Sequence, residues 1–139
     1  MNSRQKGAAG ERELARVLRF YGYDCHRGQQ YQGSPWSPDV LGLPGIHIEC
    51  KRVEKLNLYD ALSQSKADSG EDEIPVVMHR KNRSKWLVTM ELKDWMDIYR
   101  EWEAGMKYLK AEKAAGPFDL QEEYQEAFEG ITERRNKNG

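Results

Sequence analysis

The stretch SPDVLGLPGIHIECK, residues 37–51, carries two carboxylates and an amine at a spacing that can do chemistry. Ile46, Ile48 and Cys50 alternate with His47, Glu49 and Lys51, which reads as a strand. Successive strand side chains point to opposite faces, so Glu49 and Lys51 share one face. Asp39 opens the preceding strand of a tight hairpin, which brings it close to Glu49. Two carboxylates that near repel each other, and a bound cation removes the penalty. Divalent-metal hydrolysis of a phosphodiester uses such a set: hard oxygen ligands, usually carboxylates with a backbone carbonyl and waters. It also needs a group to hold the attacking water and offset charge on the phosphorane. Asp39 and Glu49 suit the first task and Lys51 the second.

Glu11 is a fourth candidate. On a helical wheel it shares the row of Leu14 and Leu18, at the edge of an apolar stripe, while Arg12 points away. A carboxylate at the margin of a buried face needs a partner, and a metal-bound water would serve. Taken alone, it reads better as an acid favoured by the helix dipole. An Asp followed by E-x-K is a common pattern in a chain whose residues are 32% charged. A solvated strand face accounts for Glu49 and Lys51 by themselves. A second E-x-K, Glu91-Leu92-Lys93, opens an expected helix, where its acid and amine would not share a face. The full combination is more specific: a helix acid, Pro-Asp at a strand start, a Gly/Pro turn, an alternating strand holding E-x-K, then a helix.

The elements that must position these residues follow from periodicity. Leu14, Val17, Leu18 and Tyr21 predict an amphipathic helix over 7–21, stopped by Gly22. Residues 23–27 predict a short strand and 28–38 a loop with Gln29, Gln30, Tyr31 and Trp36. Residues 39–53 predict two strands joined at Gly42, Pro44 and Gly45. Asn57 caps an expected helix over 58–68. Strands are expected over 74–79 and 86–90, joined by a basic turn. A long helix is expected over 92–114, with Leu92, Trp95, Met96, Tyr99, Trp102, Met106 and Leu109 on one broad face. Gly116-Pro117 breaks it before a short helix over 119–129. The order of elements predicts an α/β (α+β) protein with a central mixed sheet flanked by helices. A nuclease core is expected over 1–90, a C-terminal helical extension over 91–130 packed on the core or on a partner subunit, and a flexible tail over 131–139.

The chain has 139 residues and a formal net charge of −1, which neither demands nor excludes a nucleic-acid partner. The distribution is more informative. Residues 1–52 hold 8 Lys/Arg against 5 Asp/Glu, whereas 91–139 hold 8 against 12. The front half can therefore present a positive face. No apolar run reaches the roughly 20 residues needed to cross a bilayer, and the N-terminus lacks a signal-peptide core. No membrane association is expected, and two cysteines are too few for a disulfide scaffold. The expected setting is cytoplasmic.

PD at 38–39 with ECK at 49–51 resembles the signature of the PD-(D/E)XK nuclease superfamily. KGAAGERELARVL at 6–18, together with the Arg of HRG at 26–28, resembles the Hjc-type Holliday junction resolvases and their phage-encoded relatives. The similarity runs from about residue 6 to about residue 90. It implies a restriction-endonuclease-like core in which Glu11, Asp39, Glu49 and the backbone carbonyl of Cys50 bind Mg²⁺, with Mn²⁺ able to stand in, and Lys51 assists the water and transition state. It implies that Arg12 and Arg27 contact DNA phosphates, that the substrate is branched double-stranded DNA, and that the protein is a homodimer making two coordinated cuts. A phage-encoded relative would act in the bacterial host cytoplasm. The segment from about residue 91 onward has no counterpart in those resolvases.

The turn 79–85 offers Arg80, Lys81, Arg83 and Lys85 to phosphates, and Gln64 falls where many nucleases of this fold carry a Gln near the site. Cys25, His26, His47, Cys50 and His79 lack the spacings of a zinc site. The expected activity is Mg²⁺-dependent, structure-selective cleavage of four-way junctions leaving 5′-phosphates. The rivals are a restriction-type or flap-cutting nuclease of the same fold, or a non-catalytic DNA-binding protein built on it.

Overall fold

The structure is a computed structural model that describes residues 3–28 and 37–115. The expected loop residues Gln29, Gln30, Tyr31 and Trp36, the helix over 119–129 and the tail over 131–139 lie outside the described residues. The chain divides into two compact units, residues 1–91 and 92–139.

The first unit is a five-stranded mixed sheet with two helices. Its elements are α1 (Ser3–Phe20), β1 (His26–Arg27), β2 (Val40–Leu41), β3 (Ile46–Arg52), α2 (Leu58–Asp68), β4 (Ile74–Arg80) and β5 (Leu87–Thr89). The strands lie in the spatial order β1-β2-β3-β4-β5. All neighbours run antiparallel except β3 and β4, which are parallel, with Glu49 beside Val77 and Lys51 beside His79. A parallel pair needs a crossover, and α2 supplies it.

β3 is the middle strand, and both its faces are buried. Ile48 and Cys50 join Leu14 and Ala15 of α1, Val40 of β2, and Val76 and Met78 of β4 in the hydrophobic core. His47 and Glu49 alternate with them and are buried too. Ala61 and Ser65 of α2 are buried, and the Ser65 hydroxyl lies 3.0 Å from the Val76 carbonyl and 3.3 Å from that of His47, placed to donate to them. Ser65 thereby fastens α2 to the two parallel strands.

α1 ends as its sequence dictates. The Tyr23 amide donates to the Leu18 carbonyl at 3.3 Å and the Gly22 amide to that of Arg19 at 2.9 Å, the paired bonds of a Schellman cap. Gly22 sits at φ +97°, a conformation that favours glycine. α2 begins with the Asn57 side chain accepting from the Asp60 amide at 3.2 Å and runs over the expected span. The expected strand over 23–27 shortens to two residues, because the Cys25 amide turns back to the Tyr23 carbonyl at 2.9 Å. β2 is equally short, cut off by Gly42 at φ +121°. α1 starts four residues earlier than expected, through helix-forming Gln5 and Lys6.

The second unit contains α3 (Leu92–Ala115). Along it, the rings of Trp95 and Tyr99 lie 5.4 Å apart and those of Tyr99 and Trp102 5.6 Å apart.

Candidate active site

A cleft of about 310 Å³ is lined by Glu11, Asp39, Glu49, Cys50, Lys51 and Gln64, with Lys6 and Arg52 at its rim. Three elements bring the acids together. On α1, Glu11 lies one turn before Leu14 and Ala15, whose burial in the core turns Glu11 inward, where it is 8% exposed. Asp39 immediately precedes β2. Its amide donates to the Ile48 carbonyl at 2.9 Å, and one carboxylate oxygen accepts from the Cys50 amide at 2.8 Å. Val40 pairs with Ile48, so the antiparallel register sets Asp39 opposite Glu49. Gly28 makes this corner possible. Its amide donates to the Asp39 carbonyl at 2.8 Å, and a Cβ there would stand 2.2 Å from the Pro38 carbonyl oxygen.

The electrostatics are those of crowded acids. Burial pushes the Glu49 carboxyl up to about 7, the Asp39 charge adds to the shift, and Lys51 partly opposes it. Burial also raises Glu11, opposed by a hydrogen bond from Arg27 and reinforced by Asp39. Asp39 thus acts on both glutamates. The Lys51 ammonium lies 3.3 Å from a Glu49 oxygen with its side chain 32% exposed, so the amine reaches from the buried acid toward solvent. The Arg27 Nε donates to a Glu11 oxygen at 2.5 Å. Among the described residues, no three His, Cys, Asp or Glu side chains already stand together at metal-ligand spacing. Each acid has a partner: Glu11 is engaged by Arg27, Asp39 by the Cys50 amide and Glu49 by Lys51. Hard oxygen donors and crowded, buried carboxylates, whose repulsion and raised pKa values a cation would relieve, form a set that suits a divalent ion.

The residues expected to meet DNA separate into groups. Arg12 lines a second cleft of about 530 Å³ with Arg16, Arg19, His26 and Arg27. Arg27 is therefore both a wall of this basic groove and the partner of Glu11, a structural task added to the phosphate contact expected of it. Arg16, Arg19 and His26 were not anticipated, although Arg12, Arg16 and Arg19 at i, i+4 and i+7 mark one helix face. Lys81, Arg83 and Lys85 are exposed in the turn between β4 and β5. Arg80 is not with them. Its guanidinium lies 2.6 Å from Glu13, its side chain is 19% exposed, and it stacks over Trp86. Arg52 reaches the other Glu13 oxygen at 3.2 Å, and the Trp86 indole N–H donates to Glu13 at 3.2 Å. The reach of a long side chain from the last residue of β4 back to α1 makes Arg80 a clamp of the fold. Gln64 is exposed at the rim of the acidic cleft.

A mixed sheet with opposed Asp39 and Glu49, and Lys51 beside Glu49, defines the PD-(D/E)XK class of nuclease. The model of the family described as "Phage putative PDDEXK endonuclease" matches residues 2–133. The chain belongs to this family. Among solved structures it is similar to the 1.6 Å structure of Archaeoglobus fulgidus Hjc, described as a Holliday junction resolvase from an archaeal hyperthermophile. The identity is 25% over 58% of this chain and 72% of that one, with a TM-score of 0.46. No curated protein matches the chain. Among the described residues, no helix is long and apolar enough to cross a membrane.

Proposed function

We propose that the protein is a Mg²⁺-dependent endonuclease that resolves four-way DNA junctions by paired phosphodiester hydrolysis as a homodimer. The observation that carries the metal-dependent chemistry is the register that opposes Asp39 to Glu49 with Lys51 alongside, in a cleft next to a groove of arginines. Asp39, Glu49 and the Cys50 carbonyl would hold Mg²⁺, or Mn²⁺ in its place, with Glu11 contributing through water; the ion supplies an activated water and charge neutralisation at the phosphate. The protein's own groups do the rest. Lys51 orients the attacking water and offsets charge as it develops on the phosphate oxygens, in line with departure of the 3′ oxygen, leaving a 5′-phosphate. Arg27 holds the Glu11 carboxylate in position and opposes the upward push of burial on it. Arg12, Arg16 and Arg19 take the backbone leading away from the cut, and Lys81, Arg83 and Lys85 are available to a second arm. Gln64 contacts the strand at the rim. None of these contacts reads a base, so selectivity comes from branched shape.

The test is cleavage of a synthetic mobile four-way junction, a flap and a linear duplex, each with and without Mg²⁺. Symmetric paired nicks on the junction, absent in chelator, are the expected result. Equal cutting of the linear duplex would favour a restriction-type enzyme. Binding without cutting under Mg²⁺ and Mn²⁺ would leave a non-catalytic binding protein.

A further inference from the structure

Gly10 and Glu13 flank Glu11 on α1, and both meet Arg52, the residue that follows Lys51 on β3. Three residues apart, they lie on one face of the helix. A Cβ added to Gly10 would stand 2.9 Å from the Cβ of Arg52, closer than two such carbons approach. Glycine therefore lets α1 come against the end of β3 at this point. On the same face, a Glu13 carboxylate oxygen lies 3.2 Å from the Arg52 Nε.

The register of the sheet explains why an acid is needed there. β3 and β4 run parallel with Arg52 beside Arg80, so two guanidinium groups project side by side from one face. Left to themselves they would repel. Glu13 stands between them, with its other oxygen 2.6 Å from the Arg80 Nε and accepting from the Trp86 indole N–H at 3.2 Å. All three charged side chains are partly buried, where solvent screens their attraction less. The contact with Arg80 braces β4. The contact with Arg52 does something else, because Arg52 is bonded directly to Lys51 and lines the acidic cleft. Glu11 comes to the cleft from α1, whereas Glu49 and Lys51 come from β3, and Arg52 is where those two elements are locked together. We infer that Gly10 and Glu13 are positioning residues of the reaction, which seat Arg52 on α1 and so set Glu11 against Glu49 and Lys51. The inference rests on the nuclease reading above and adds to it two residues that act through Arg52.

The experiment uses the full chain at a temperature where circular dichroism shows each variant folded. It measures the single-turnover rate constant and amplitude of junction cleavage under Mg²⁺, junction affinity in chelator, and Mn²⁺ binding without DNA by calorimetry. Glu13→Gln should lower the rate constant by about tenfold to a hundredfold, the loss expected of a slightly misplaced site. It should also weaken Mn²⁺ binding several-fold, while amplitude and junction affinity are kept. Gly10→Ala should do the same, although alanine is the better helix former. Arg52→Ala should match the rate loss of Glu13→Gln, and the double variant should lose no more than either alone. Arg80→Ala leaves the Glu13–Arg52 contact in place, so it should lower stability and keep the rate constant. A Glu13→Gln protein with reduced amplitude at an unchanged rate constant overturns the inference. So does an additive double variant, or an Arg80→Ala rate as low as that of Glu13→Gln. If the wild type binds Mn²⁺ but cuts nothing, the nuclease reading fails and the Mn²⁺ affinities still decide the positioning. Weakened affinities in Glu13→Gln and Gly10→Ala then keep it, and unchanged ones overturn it. A wild type that neither binds Mn²⁺ nor cuts overturns both.

Discussion

Burial and the Asp39 carboxylate push the Glu49 carboxyl up from 4.5 to about 7, and this has a measurable cost. A carboxyl with a raised folded-state pKa binds its proton more tightly in the native protein than in the unfolded chain. Stability therefore falls as pH rises between about 4.5 and about 7, and the full penalty persists above that window. In chelator, the melting temperature should drop from pH 5 to pH 8, and Glu49→Gln should flatten that slope. Identical slopes in the two proteins would place the cost elsewhere. Lys51 makes a sharper prediction at the same scale. Lys51→Ala should lower junction cleavage by roughly 10²–10³-fold, the usual loss for one group aimed at developing charge, while junction binding is largely kept. Equal loss of binding would make Lys51 an anchor. Glu49 and Lys51 were legible as a pair from strand alternation, and Asp39 from the hairpin. The hold of Arg27 on Glu11 was not legible, because no spacing links residues 16 apart on different elements.

At the scale of elements, β3 does two jobs with one strand. Ile48 and Cys50 lock it into the core, and that registration fixes which way Glu49 and Lys51 face. A slip of one residue would exchange the two sets. α1 works the same way: Leu14, 2% exposed, holds the helix on the sheet and so presents Glu11. Leu14→Ala should cost roughly 2–5 kcal/mol in urea denaturation. At temperatures where the variant remains folded, it should also cut more slowly than wild type, because Glu11 loses its seat. Unchanged specific activity would mean that Glu11 is dispensable. The helix over 58–68 was readable from its cap and apolar spacing, since both are local. The ends of β1 and β2 were not, because a turn at Cys25 and Gly42 competes with the ladder.

For the molecule as a whole, a net charge of −1 hides a basic groove on α1 and β1. Counterion release makes such a groove visible in the salt dependence of binding. Arg16→Ala should weaken junction binding and reduce the slope of log affinity against log salt by about 0.9, the value for one phosphate contact. Arg80→Ala should leave that slope unchanged and lower the unfolding free energy instead, because Arg80 is spent on Glu13 and Trp86. A reduced slope for Arg80→Ala would return it to the DNA surface. The division at residues 91 and 92 places the acids and both clefts in the first unit and the stacked rings of Trp95, Tyr99 and Trp102 in the second.

The amino-acid order by itself determined the acids, the amine beside Glu49, the mixed order of elements and the broad apolar face of the long helix, because each depends on short-range spacing along a strand or helix. Folding decided which charges are free to act. Arg27 and Arg80 read alike in the sequence as phosphate contacts, yet one engages Glu11 at the cleft and the other braces Glu13. Side chains reach their partners through space, and the identity of those partners is set by which elements pack together.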